Sequence, residues 1–262
     1  MEKFFEGKVA VVTGGGRGIG EYIARDLAKT GCRVALVARS TGEIEKVEEG
    51  IRAGGGEALC VPGDVRDPST ALLACRTAVE KFGRLDIIVN CAGVFIPTEA
   101  RKFSPEAYRD VIETNLLGTI YFCQAAVEHM VPRRFGRVVN ISSLAGKMTF
   151  AQSAAYSASK FAVIAYSDRL RSELHKTGIK VTTVMPGFID TAMLDKFRKS
   201  VPNDLYLRAT KVVPEKVSGV VVAAIPKGKP DVYITGWDTL MVRFVTRAPR
   251  LADVFARLIG IG

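Results

Sequence analysis

Tyr156 and Lys160 stand four residues apart in the stretch Ser143 to Lys160, S-L-A-G-K-M-T-F-A-Q-S-A-A-Y-S-A-S-K. A helix there sets both side chains on one face, one turn apart. A free tyrosine titrates near about 10, too high for an effective acid or base at neutral pH. A neighbouring ammonium stabilises the phenolate and lowers that value. Any helix with a half-buried tyrosine and a surface lysine can show this spacing. The chemistry therefore depends on what the rest of the chain sets beside the pair.

The elements that position it alternate. Val9–Thr13 is a continuous apolar run, as in a parallel strand covered on both faces. Gly14-Gly15-Gly16-Arg17-Gly18-Ile19-Gly20 follows, and Tyr22, Ile23, Leu27 and Ala28 then recur at helical spacing up to Gly31. Arg33–Ala38 is a second buried strand, which completes a βαβ unit. The same logic gives helices over Glu43–Ala53, Pro68–Phe82, Ala155–Lys176 and Val213–Ile225, and two helices with a break over Pro105–Met130. Strands are expected at Glu57–Val61, Asp86–Asn90, Gly136–Ile141, Lys180–Met185 and Asp231–Ile234. The expected fold class is α/β: a Rossmann-like, doubly wound parallel sheet with helices on both faces in a single domain. Residues 1–236 are expected to make up the body of that domain, and 237–262 an amphipathic extension of it.

Composition agrees and excludes little else. The chain has 262 residues, 48% hydrophobic and 24% charged, enough for a large core. Its five cysteines are scattered, without C-x-x-C spacing or a histidine cluster. Reduced thiols in a cytoplasmic protein and no metal site are the expectation. No apolar run reaches spanning length, and Met1–Gly7 does not read as a signal peptide. The net charge of +10 favours anionic ligands or surfaces. The basic residues are dispersed until the C-terminal third and match no nucleic-acid motif, so no nucleic-acid partner is expected.

In such sheets ligands bind beyond the carboxyl ends of the strands. The glycine loop sits there, where its backbone can approach a pyrophosphate at a helix N-terminus. Its spacing, Gly14-x-x-x-Gly18-x-Gly20, differs from G-x-G-x-x-G, but the strand before and helix after support dinucleotide binding. The loop, Asn90-Cys91-Ala92-Gly93, Asn115, Ser143 with Tyr156 and Lys160, and Pro186-Gly187 together resemble the short-chain dehydrogenase/reductase family in order and spacing, over roughly residues 7 to 190. Cys91 departs from the family's Asn-Asn-Ala-Gly.

The resemblance implies roles. Ser143 would hydrogen-bond the substrate oxygen, with Ser142 as the alternative. Tyr156 would donate a proton to the carbonyl oxygen as hydride arrives. Lys160 would hold the nicotinamide ribose and depress the Tyr156 pKa. Asn115 would break its helix and hold a water leading from the lysine to solvent. Asn90, Ala92 and Gly93 belong to the cofactor crevice, as do Gly14, Gly16, Gly18, Ile19 and Gly20. Asp64-Val65 resembles the adenine-contacting pair, although an aspartate after a strand can also be a helix cap. Pro186, Gly187, Ile189 and Thr191 resemble the segment that seats the carboxamide. The dinucleotide-binding and catalytic part would then be residues 1–236, with a lid at about 188–212; Met193–Leu207 is expected as the substrate lid, and Phe188, Met193, Leu194 and Phe197 there suit an apolar carbonyl compound. Apolar lid residues also simply pack shut.

The end of the second strand bears on the cofactor. An acidic residue there would bind the ribose hydroxyls of NAD. Ala38 stands at that position, Arg39 follows, and Arg17 lies in the glycine loop. Two guanidinium groups suit the extra phosphate of NADP(H). The expected activity is reversible hydride transfer between NADP(H) and a small-molecule carbonyl or secondary alcohol, running toward reduction of a lipophilic ketone or aldehyde. A nucleotide-sugar epimerase or dehydratase and a non-catalytic dinucleotide sensor are the rival readings. A homodimer through the long helices is implied by the resemblance.

The tail differs from the family's commonest ending. Trp237, Leu240, Met241, Phe244, Val245 and Ala248 recur at helical spacing, Pro249 interrupts, and Leu251, Val254, Phe255, Leu258 and Ile259 repeat the pattern among arginines. This amphipathic pair can cover the pocket or a partner subunit, lie on an anionic membrane surface, or cap the core.

Overall fold

The computed structural model describes residues 2–200, 211–248, 251 and 254. After a short N-terminal helix α1 (Glu2–Phe5), the strands are β1 (Val9–Thr13), β2 (Arg33–Ala38), β3 (Ala58–Pro62), β4 (Ile87–Asn90), β5 (Gly136–Ile141), β6 (Ile179–Met185) and β7 (Asp231–Tyr233). They form one parallel sheet in the order β3-β2-β1-β4-β5-β6-β7. The chain winds outward from β1 to β3, then returns to lay β4 on the other side of β1. The switch point therefore lies between the carboxyl ends of β1 and β4, where a crevice must open.

Helices cover both faces. On one, α2 (Gly18–Lys29), α3 (Thr41–Ala53) and α9 (Pro214–Ala224) bury Ile23, Leu27, Ile44, Val47, Val217 and Val221 against the sheet. On the other, α4 (Pro68–Phe82), α6 (Gly118–Met130) and α7 (Ala154–Glu173) bury Ala74, Ala78, Phe122, Ala126 and Leu170. Burial on both faces explains why β1 is apolar from Val9 to Val12 rather than alternating. The ends of α4 follow their punctuation: Asp67 accepts from the Ser69 N–H, Pro68 opens the helix, and Gly83 closes it in the left-handed region.

The break expected within Pro105–Met130 is a π-helical turn, Glu113–Leu117, between α5 (Pro105–Ile112) and α6. The remaining elements are a 3₁₀ turn at Leu144–Gly146, α8 (Ala192–Arg198) in the expected lid, and α10 (Gly236–Arg247) in the expected extension. The part of the lid from 201 to 207 and the pattern around Phe255, Leu258 and Ile259 lie outside the described residues.

Candidate active site

The crevice at the switch point is tied together by Thr13, the last residue of β1. Its Oγ1 accepts from the N–H groups of Cys91 (3.0 Å) and Ala92 (3.1 Å), so the loop after β4 is hung on the end of β1. Gly14 has φ of +66°, and a Cβ there would stand 3.0 Å from the Ala92 backbone. A Cβ at Gly20 would run into the Gly14 carbonyl. These two positions admit only glycine, and they leave a backbone cradle with Gly16, Arg17, Gly18 and Ile19 between them at the start of α2. The residues present fit a dinucleotide pyrophosphate.

Beyond the ends of β4 and β5 lies an open cavity of about 860 Å³, its solvent-filled mouth included. Tyr156 and Lys160 reach it from α7, with the Lys160 Nζ 5.6 Å from the Tyr156 ring centre. Lys160 is 5% exposed, and its ammonium donates to the Ile141 carbonyl (2.8 Å) at the end of β5. Ser143 stands beside the Tyr156 hydroxyl and lowers its pKa; its Oγ accepts from the Ala145 N–H at 3.1 Å and donates to the Pro186 carbonyl at 3.5 Å. Ser142 is turned away: its hydroxyl donates to the Lys160 carbonyl at 2.9 Å. Of the two serines, Ser143 is therefore the one beside the tyrosine.

Asn115 sits in the π turn, fully buried. Its Oδ1 accepts from the Val94 N–H (2.8 Å), and its Nδ2 donates to the Val94 carbonyl (3.0 Å) and the Ser159 Oγ (3.0 Å). One side chain thus clamps the loop after β4 to α7 at the turn just before Lys160. The wider turn delivers Asn115 inward without ending the helix, a common use of π turns at functional sites.

The electrostatics differ from the simple expectation for the pair. Burial pushes the Tyr156 hydroxyl up to about 12, outweighing the Ser143 hydrogen bond that lowers it. Burial also brings Lys160 down to about 8. The Lys160 ammonium is turned to the Ile141 carbonyl, and burial outweighs the influence of its neighbours on the tyrosine. The outcome at neutral pH is a protonated tyrosine beside a largely protonated lysine, a proton-donating pair.

One wall of the cavity is aromatic. Phe188 and Phe197 stack at 5.9 Å between centres, and Phe95 meets Phe197 edge-on at 5.4 Å and Tyr156 at 5.6 Å. Phe150 packs on Phe188 at 5.3 Å. Met193 and Leu194 join the wall from α8, and Pro186, Gly187, Ile189 and Thr191 line the cavity beside it. Phe95 and Phe150 were not expected from the sequence. Phe95 follows Gly93 by two residues, and Phe150 lies between Ser143 and Tyr156, but no periodicity marks either.

The residues expected around the adenosine lie outside this cavity, after β2 and β3. Arg39 is 61% exposed at its side chain and 4.0 Å from Asp64. Arg17 is more exposed and is paired with Glu43 at 3.4 Å, so it is a partly neutralised cation. Asp64 is gripped by Arg66, at 2.7 Å and 3.0 Å, and Asp67 is the cap of α4 instead. Burial would raise the Asp64 carboxyl, but the Arg66 hydrogen bonds together hold it below its usual range. Val65 is buried against Gly118. Asn90 departs from its expected place in the crevice: its Nδ2 donates to Asn140 Oδ1 (2.9 Å) and Cys123 Sγ (3.2 Å) inside the molecule. On β4 its side chain falls on the core side, so it supports the strand end rather than facing a ligand.

One contributor comes from the tail. Asp238 and Thr235 form a reciprocal cap at the start of α10, with the carboxylate accepting from the Thr235 N–H at 2.9 Å. A Cβ at Gly187 would stand 3.1 Å from Asp238 Oδ1, so the start of α10 abuts the Pro186-Gly187 segment. The T-x-x-D spacing was a readable capping signal.

Known proteins resemble the chain in sequence and in fold. The chain is 35% identical to the ketoacyl reductase HetN of Nostoc sp. over 87% of this chain and 78% of that protein. It is 34% identical to an uncharacterized oxidoreductase of Staphylococcus aureus, over 85% of this chain and 92% of the other. A crystal structure of a protein from Sinorhizobium meliloti, described as a short-chain alcohol dehydrogenase, superimposes with a TM-score of 0.82 at 27% identity, covering 90% of this chain and 97% of that one. The short chain dehydrogenase family model matches residues 8–202, and the chain belongs to that family of nicotinamide-dependent oxidoreductases.

Proposed function

We propose that the chain is an NADP(H)-dependent reductase of lipophilic ketones or aldehydes, with Tyr156 as proton donor. The observation that carries this reading is the convergence of Tyr156, Ser143 and Lys160 at the edge of an apolar cavity, where burial keeps the Tyr156 hydroxyl protonated. The bound nicotinamide supplies the hydride. The Ser143 and Tyr156 hydroxyls converge where a carbonyl oxygen can accept from both, which orients the substrate and stabilises the oxygen as charge develops. Tyr156 then gives up its proton to that oxygen. Lys160, within reach of the cofactor ribose, keeps a positive charge beside the phenolate left behind and makes that loss less costly. Asn115 holds the lysine-bearing turn and the Val94 loop in register and leads a water toward Lys160.

The four phenylalanines favour a substrate with an apolar body over a sugar, whose hydroxyls would find few partners among rings. The homodimer expected through α6 and α7 belongs to the same reading.

For the cofactor, Ala38 supplies no carboxylate to the adenosine ribose, and Arg39 stands open to a phosphate. Arg17 contributes less while Glu43 holds it. Fluorescence titration of the purified chain with NADPH and NADH tests this. NADPH should bind more tightly, and Arg39→Asp should weaken NADPH by about 10- to 100-fold with little change for NADH, the worth of a charge-assisted hydrogen bond. Equal binding of both cofactors would overturn the NADP(H) assignment.

A further inference from the structure

The helix α10 is apolar on two sides. Its inward side buries Met241 and Val242, the latter against Leu144, Ile164 and Met185. Asp238, also inward, is engaged in the Thr235 cap. Its outward side carries Leu240, 57% exposed, and Phe244, 38% exposed, with Trp237 half-exposed on the same stripe. Positions 237, 240 and 244 share one helix face. Leu251 and Val254 are exposed as well. Single exposed apolar side chains are ordinary. Here, five of the eleven large exposed ones among the described residues fall in this one segment. A helix that only packs on its own core needs one apolar stripe, not two.

Charge selects the occupant. Arg243 and Arg247 are exposed and lie one turn apart, flanking the outward stripe. The only acidic residue in α10 is the buried Asp238. The sequence beyond adds Arg250 and Arg257 against Asp253, in a chain of net charge +10. Two copies meeting through this face would bring like charges together. An anionic bilayer surface satisfies both features: apolar side chains enter the headgroup boundary while guanidinium groups meet lipid phosphates. No helix among the described residues is long and apolar enough to cross a membrane, so the contact is one that lies on the surface. We infer that α10, through Trp237, Leu240, Phe244, Arg243 and Arg247, is a docking face for an anionic membrane surface. The start of the same helix abuts Gly187, so docking sets the pocket close to the lipid. This inference does not depend on which cofactor or substrate the site takes.

The test is sedimentation of the full chain with equimolar phosphatidylcholine–phosphatidylglycerol vesicles and with pure phosphatidylcholine vesicles. The inference expects binding to the anionic vesicles, little to the neutral ones, and release as salt is raised. Trp237 is the only tryptophan in the chain, so its emission should shift to the blue on binding. Leu240→Glu with Phe244→Glu, and separately Arg243→Glu with Arg247→Glu, should each weaken vesicle binding by about tenfold or more. Both variants should keep NADPH affinity, which also verifies their fold. Equal binding to the two compositions, or none to either, would overturn the inference. So would a wild-type dimer that ignores vesicles and dissociates on Leu240→Glu with Phe244→Glu, because the face would then join two copies.

Discussion

The floor of the cavity and its aromatic wall are built by different rules. On the floor, side chains are fixed by short directional bonds: Lys160 to Ile141, Asn115 to both polar groups of Val94 and to Ser159, Ser143 to the Ala145 N–H. Buried polar groups demand such partners, so each floor residue has one place to be. The wall is four phenylalanine rings, with Leu194 and Met193, in edge and stacked contacts. Such contacts are individually weak and tolerate rearrangement. The difference suggests a division of labour: the floor carries out the proton chemistry, and the wall selects what is brought to it.

Breaking the floor should cost most. Lys160→Met keeps the buried site apolar but removes the charge beside Tyr156, and turnover should fall by about 1000-fold in steady-state assays. It should also remove a pH dependence. Burial sets Lys160 at about 8, whereas Tyr156 stays protonated up to about 12. Ketone reduction by the wild-type chain should therefore hold level below pH 8 and decline as the pH rises through about 8, as the ammonium loses its proton. A level profile in wild type would show that the lysine charge is not needed.

Asn115→Ala should come next. It leaves the Val94 N–H and carbonyl without their partner, which costs roughly 1–3 kcal/mol of stability. The loosened floor should lower kcat by up to about 100-fold, more than it raises KM. Thermal unfolding and kinetics on one preparation read both effects. A kcat near that of wild type would show that Asn115 is structural only.

Breaking the wall should cost least and in a different parameter. Phe197→Ala removes contacts to Phe95, Phe150 and Phe188 together. KM for apolar ketones should rise by up to about tenfold while kcat changes little. A fall in kcat with unchanged KM would mean the wall positions the reacting atoms.

The floor was legible in the sequence through the resemblance that its motifs carry, and Asn115, in the middle of a helical stretch, had no signal of its own. Tyr156 and Lys160 are one helical turn apart, and Ser143 is the second residue after β5. The wall was half legible. Phe188 and Phe197 could be placed in the lid, but Phe95 and Phe150 arrive from two separate loops and meet the others only in three dimensions. Asn90 shows the opposite error: it sits within a recognisable motif, yet strand alternation turns it into the core. The Arg17–Glu43 pair joins residues across a βαβ unit, which no local pattern announces. The first tail helix was readable from its period, but its second, outward apolar stripe becomes evident only once the inward face is seen to be filled.

The most direct test of the division between floor and wall is a single-turnover measurement on Tyr156→Phe, which removes one hydroxyl and keeps the ring against Phe95. NADPH affinity should remain near wild type, and reduction of an apolar ketone should be lost by at least about 1000-fold. Turnover that persists within about tenfold of wild type would contradict the assignment of Tyr156 as proton donor, and with it the account of the floor.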